Sequence, residues 1–243
     1  MKGLQNSGAV FSQTHWTMVL AARQWNSPEA RDALTKLCQT YWYPLYAFIR
    51  RRGHSPHEAQ DLTQEFFVHL FEHSTLEQVD RGKGKFRSFL LAVLTNFLNN
   101  QWAKQHALKR GGAQALISLD EILAEERYSQ EPANETSPEA LFDRGWACTV
   151  AEQVMAKLKA EYAASDKSDV YALLEPCLTG ETDKGFYQQA AAKLGKNEGA
   201  VKVDLHRLRR RFGELLRSEV AQTVSSVEHL DGEVRHLFAA LSA

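Results

Sequence analysis

Apolar residues recur every three or four positions through almost every segment of this chain, and nowhere do they alternate as a half-buried strand requires. The expected fold class is therefore all-α. Trp16, Val19, Leu20 and Arg23 begin the first helical pattern, and Ala33, Leu34, Leu37, Tyr41, Leu45 and Phe48 continue a longer one that has to accommodate Pro44 as a kink or break. Ser55-Pro56 opens a third helix, because a serine side chain accepts an otherwise orphaned amide hydrogen bond and proline suits the first helical position. Its apolar stripe is Ala59, Leu62, Phe66 and Leu70. A fourth helix is expected from about Phe86 to Gln105, with Phe86, Phe89, Leu90, Val93, Leu94 and Phe97 as its buried face.

From Gly111-Gly112 to Thr136-Ser137-Pro138 the chain turns acidic and irregular, with ISLDEILAEE as at most a short helix, and it reads as a linker. Helical periodicity resumes at Leu141. The 243 residues thus divide into an N-terminal helical domain (1–110), an acidic linker (111–138), a second helical domain (139–218) and an amphipathic C-terminal extension (219–243). In the extension Val220, Val224, Val227, Leu230, Val234, Leu237 and Leu241 are spaced by threes and fours, with a break expected at Asp231-Gly232. That face is expected to pack on its own domain, with docking of a partner as the alternative.

The formal net charge of −1 conceals a segregation that matters more, because electrostatic fields act locally. Arg81 to Arg110 holds seven Lys/Arg and no Asp/Glu, whereas Ala113 to Asp143 holds eight Asp/Glu and only Arg127. The near-neutral total argues against a protein that coats nucleic acid indiscriminately, since nonspecific affinity comes mainly from counterion release. Oriented local contact stays open. Cys38, Cys148 and Cys177 are odd in number and far apart, which suggests neither a disulfide framework nor a thiolate zinc site. The opening MKGLQNSGAV lacks the features of a secretory signal and no segment approaches the roughly 18 apolar residues of a membrane span, so a cytoplasmic protein is expected.

In GFYQQAAAKLGKNEGAVKVDLHRLRRRF, Ala191, Gly195 and Val201 fall at offsets of four and six, the spacing that a helix-turn-helix imposes. A small residue lets the two helices approach, glycine supplies the positive φ of the turn, and Val201 fills the angle between them. The second helix then carries Lys202, Arg207, Arg209, Arg210 and Arg211, as a helix laid in a major groove does. A plain helical hairpin with a charged face is the competing reading.

The N-terminal half carries HEAQDLTQEFFVHLFE and then GKFRSFLLAVLTNFLNN. With Asp61, Gln64, Glu65 and Phe67 as a D-x-x-Q-E-x-F helix, Phe86, Phe89, Leu90 and Asn96 as an F-x-x-[WF]-L helix, and Gly195, Gly199, Val201, Lys202 and Arg207 in the second domain, the chain resembles the extracytoplasmic-function (ECF) sigma factors. These are the promoter-specificity subunits of bacterial RNA polymerase. The resemblance covers about Trp16 to Arg217 and points to a longer subgroup. Phe89 stands where tryptophan is common, and Asp204 puts an acid on the recognition helix where the family often has a base.

The resemblance implies core RNA polymerase and promoter DNA as partners, with an anti-sigma factor as a candidate third. Asp61, Gln64 and Glu65 would face the polymerase clamp. Arg81, Lys83, Lys85, Arg87, Asn96, Asn99 and Asn100 would meet the minus-10 element, Asn96 lining a pocket for a flipped base. Lys202, Val203, His206 and Arg207 would face the minus-35 element, with Arg210 and Arg211 on phosphate. No cofactor, metal or enzymatic activity is implied. Two other readings compete: a stand-alone helix-turn-helix regulator binding an operator without polymerase, and a zinc hydrolase built on His69, Glu72 and His73, which match H-x-x-E-H.

Overall fold

The computed structural model describes residues 28–72, 85–105, 121–131, 136–178, 180, 182–183, 185–224 and 226–242. Among these the protein is all-α, and its only departure from helix and turn is an isolated antiparallel bridge between Lys85 and Val224. Segments 1–146 and 221–243 form one compact unit and Ala147–Val220 forms a second. The first division falls inside a helix, and the chain returns to the first unit at its C-terminal end.

In the first unit, α1 (Pro28–Arg51), α2 (Pro56–Glu72) and α3 (Phe86–Gln105) bury most of the stripes expected from their spacing, with Leu34 and Phe89 half-buried. Tyr41, Leu45 and Phe48 of α1, Ala59, Phe66 and Leu70 of α2, and Phe86, Leu90 and Leu94 of α3 are at most 1% exposed. Phe66 meets Phe97 edge-on at 5.7 Å between ring centroids, and Tyr41 meets Phe86 at 5.4 Å. The expected start of α2 is realised as a capping box: the Glu58 amide donates to Ser55 Oγ (3.3 Å) and the Ser55 amide donates to Glu58 Oε2 (2.9 Å). α1 runs through Pro44 without a break. The helical pattern beginning at Trp16 lies outside the described residues.

The acidic stretch contains one short helix. α4 (Glu121–Ser129) packs on α1 and α2, and its charges reach α1. Glu125 accepts from Arg50 Nε (2.9 Å), Arg50 Nη2 (2.7 Å) and Tyr46 Oη (2.5 Å), while the Arg127 guanidinium lies 4.0 Å from the Tyr43 ring centroid. Tyr43 in turn donates to Glu131 at 2.9 Å. The Arg50 hydrogen bonds, above all, hold the Glu125 carboxyl below its ordinary pKa. A carboxyl depressed in the folded state stabilises above its unfolded pKa and ceases to do so as pH falls through the lowered value. The docking of α4 should therefore weaken only on acidification below the ordinary carboxylate range. Glu125→Gln should flatten that acid limb in urea titrations at several pH values, and an unchanged limb would show that other carboxyls set it.

The first turns of α5 (Pro138–Ala164) belong to the first unit. Phe142 stacks on Tyr41 at 6.5 Å, and Gly145 is the close-approach point: a methyl group there would lie 3.2 Å from Tyr43 Cε1 and 3.4 Å from the Pro44 Cα. The C-terminal helix α9 (Val227–Ser242) completes this unit. It runs unbroken through Asp231-Gly232, against the expected break. Packing on both sides of the glycine outweighs its helix penalty of about 1 kcal/mol. The buried face of α9 is Leu230, Glu233, Leu237 and Ala240, whereas Val227 is 55% exposed.

The second unit comprises the rest of α5, α6 (Ser168–Leu174) with a 3₁₀ turn (Glu175–Cys177), α7 (Phe186–Leu194) and α8 (Glu198–Ala221), whose final residue already counts with the first unit. Its core joins Leu158, Tyr171, Leu174, Ala191, Val201 and Leu205. Gly195 adopts φ 62°, and the amides of Gly195 and Lys196 both donate to the Ala191 carbonyl. Asn197 then caps α8, its Oδ1 accepting from the Ala200 amide at 2.8 Å. Ala191 and Val201 are buried on either side of this turn.

Candidate nucleic-acid interface

The outward face of α8 is assembled by its burial pattern. Val201, Leu205 and Leu208 enter the core, which leaves Lys202, Val203, His206 and Arg207 exposed together at i, i+1, i+4 and i+5. Val203 is 47% exposed, an apolar side chain in solvent among three basic or imidazole neighbours. The Lys202 ammonium lies 5.1 Å from the Tyr187 ring centroid on α7, a cation–π contact that limits its range. Asp204, the acid out of place in the sequence pattern, does not face outward with them. Its Oδ2 lies 2.6 Å from Lys196 Nζ in the turn, so the helix neutralises its own acid and pins the turn to α8.

The three consecutive arginines take three different directions. Arg209 donates to the carbonyls of Cys177 (3.1 and 2.7 Å) and Gly180 (3.0 Å). Arg210 points outward, 72% exposed with a long 3.3 Å pair to Glu214. Arg211 holds Glu161 of α5 with two hydrogen bonds of 2.8 and 2.6 Å and reaches Glu214 at 3.2 Å. That arrangement raises the Arg211 pKa and lowers that of Glu161, each through the hydrogen bonds of the pair. Arg211, expected on phosphate, is thus committed to the scaffold of its own unit.

In the first unit Asn96, Asn99 and Asn100 are all exposed, at i, i+3 and i+4 on one face of α3. The basic residues before them are arranged otherwise than their local sequence suggests. Arg87 is 7% exposed, its Nε donating to Glu233 Oε1 at 2.6 Å and its Nη1 to Asp143 Oδ1 at 2.5 Å. Lys85 Nζ lies 2.8 Å from Glu233 Oε2, and His236 Nε2 lies 2.9 Å from Asp143 Oδ2. Arg87, expected to face DNA, lies between two carboxylates distant in sequence, with its guanidinium 5.6 Å from the Trp146 ring centroid. Lys85 keeps partial exposure, with 30% of its side-chain surface open. Arg81 and Lys83 lie outside the described residues.

On α2, Asp61 is exposed and pairs loosely with His57 at 3.2 Å. Gln64 is half-buried, and so is Glu65, which accepts from Gln101 of α3 at 2.6 Å. Asp61 is thus the most available member of the acidic face. His69 packs against the Phe97 ring at 5.3 Å, His73 lies outside the described residues, and no group of three metal-ligating side chains occurs among those described. No helix among them is long and apolar enough to cross a membrane.

Sequence reading missed Glu233 and Asp143. A signal for the first was present: Glu233 sits three residues after Leu230 and four before Leu237, on the apolar face of its helix, where a carboxylate needs a buried cation.

Residues 37–107, the heart of this first unit, match the family sigma-70 region 2. Over 183 residues the chain is 24% identical to the ECF RNA polymerase sigma factor SigE of Mycolicibacterium smegmatis, an overlap covering 75% of this chain and 61% of that protein. It spans less than two thirds of that relative's length. No solved structure matches the chain. Both likenesses agree with the resemblance to the ECF sigma factors that the sequence motifs carry.

Proposed function

We propose that this protein is an ECF-type sigma factor that binds core RNA polymerase in the cytoplasm, recognises promoters and assists DNA opening, with no enzymatic activity of its own. The observation that carries the reading is the sigma-70 region 2 match over residues 37–107, supported by the outward face formed by Lys202, Val203, His206 and Arg207. In this reading the α8 face reads minus-35 base edges, because exposed basic side chains and one apolar side chain can address base acceptors and thymine methyl groups. Arg210 positions the helix on phosphate. Asn96, Asn99 and Asn100 offer amide donors and acceptors to unpaired minus-10 bases, and capture of an extruded base offsets a few kcal/mol of the unstacking cost. Asp61, with Gln64 and Glu65 beside it, docks on basic side chains of the polymerase clamp.

The polymerase contact is tested at Asp61, since Glu65 also bonds to α3 and its reversal would disturb packing. Asp61→Lys should weaken core-polymerase binding by roughly tenfold or more, about 1.4 kcal/mol, with the melting temperature unchanged. Unaltered binding in a pull-down titration would remove Asp61 from the interface. Association with an operator in the absence of any polymerase binding would favour a stand-alone regulator instead.

A further inference from the structure

The five-residue charge network at the head of α3 serves no purpose that the sigma reading has yet assigned. Glu233 is 0% exposed and takes Lys85 on one carboxylate oxygen and Arg87 on the other. The backbone supports the same junction: the Phe86 amide, first in α3, donates to the Thr223 carbonyl at 3.1 Å, beside the Lys85–Val224 bridge. α3 has no acidic residue in its own first turn, so the C-terminal segment supplies the anion that its N-terminal end lacks. Two arrangements of function are compatible with such a contact. The carboxylate either masks cations that DNA must win back, or holds them where DNA meets them.

Depth of burial decides between them. Freeing Arg87 from the buried Glu233 and the half-buried Asp143 would leave the Glu233 charge stranded, a cost too large for one or two phosphate contacts to offset routinely. Lys85, in contrast, is only partly enclosed. We infer that Glu233 is a positioning residue for the minus-10 interface: it fixes the Lys85 ammonium at the head of α3, with Arg87 as the fixed counter-cation, so that Lys85 meets a strand phosphate while Asn96 meets the base. The C-terminal segment is then a working part of the minus-10 reader. The inference rests on the proposed sigma function.

The test measures binding of a minus-10 single-stranded oligonucleotide to the full chain assembled with core polymerase, across a salt series. Glu233→Gln keeps the size of the side chain and should weaken binding about five- to tenfold. The slope of log K against log salt should become shallower by about 0.7, the value for one lost single-strand phosphate contact. Lys85→Met should do the same, and the double variant should lose no more than either single one, because coupled residues are non-additive. Core-polymerase affinity should stay constant in all of them. Should Glu233→Gln fold poorly, Glu233→Gln with Arg87→Met removes the buried pair together and should restore stability while retaining the binding loss.

Unchanged or additive effects would overturn the inference by making Glu233 merely structural. Tighter strand binding with a steeper slope would overturn it by making Glu233 a mask. Wild-type protein that joins polymerase but captures no strand would overturn the sigma reading itself.

Discussion

Arg87→Ala should lower the stability of the first unit by about 3 kcal/mol or more, because it leaves Glu233 and Asp143 enclosed with only Lys85 and His236 as partners. Removing one member of a buried pair costs far more than the pair itself contributes, since the survivor keeps its desolvation penalty. The loss should appear in urea denaturation of the free protein, before any DNA is added. Its midpoint should fall with the slope retained, as for a change in stability alone. If Arg87 were instead a phosphate contact, stability would be unaffected and the salt dependence of promoter binding would become shallower.

Arg207→Ala should produce the largest specific effect on DNA. The loss should be about 1 to 3 kcal/mol on the preferred minus-35 duplex and much less on a scrambled one, relaxing selectivity at the base it reads. Arg210→Ala should weaken both duplexes alike and reduce the salt slope by roughly one unit. The contrast follows from placement: Arg207 stands among the four outward residues of α8, whereas Arg210 leans along the helix toward Glu214. Equal losses on both duplexes for Arg207 would reduce the whole face to a nonspecific phosphate binder.

The helices were legible in the sequence because each rests on a local rule. The capping box at Ser55 and Glu58 closes over three residues, and the turn at Gly195 depends on a backbone angle that glycine adopts freely. The charge pattern was less legible, because electrostatic partners need not be neighbours in the chain. The acid-free block beginning at Arg81 looks like an open anionic-ligand surface, yet Arg87 finds Asp143 at a separation of 56 residues and Glu233 at 146. The acidic stretch hides its partners in the same way. Glu125 and Glu131 look like solvated linker charges until Arg50, Tyr46 and Tyr43 are brought beside them by folding. Even the triple arginine resolves into one carbonyl clasp, one outward cation and one scaffold ion pair, which no count of basic residues distinguishes.

Composition and packing also divide the chain at different places. Composition changes at Gly111, but packing changes within α5 and again at Ala221, where amphipathic periodicity continues undisturbed. Periodicity identifies a buried face without saying which core receives it. For the C-terminal helix the receiving core was the first unit, and the residue that revealed this, Glu233, broke the apolar pattern instead of following it.

Run-off transcription with purified core polymerase and fragmented genomic DNA tests the central claim most directly, using the full chain and its Asn96→Ala variant. The account predicts discrete transcripts that appear only when the wild-type protein is added. It also predicts that Asn96→Ala joins polymerase normally but opens those promoters poorly. Sequence-specific DNA binding by the protein alone, with no association with polymerase and no transcript, would contradict it.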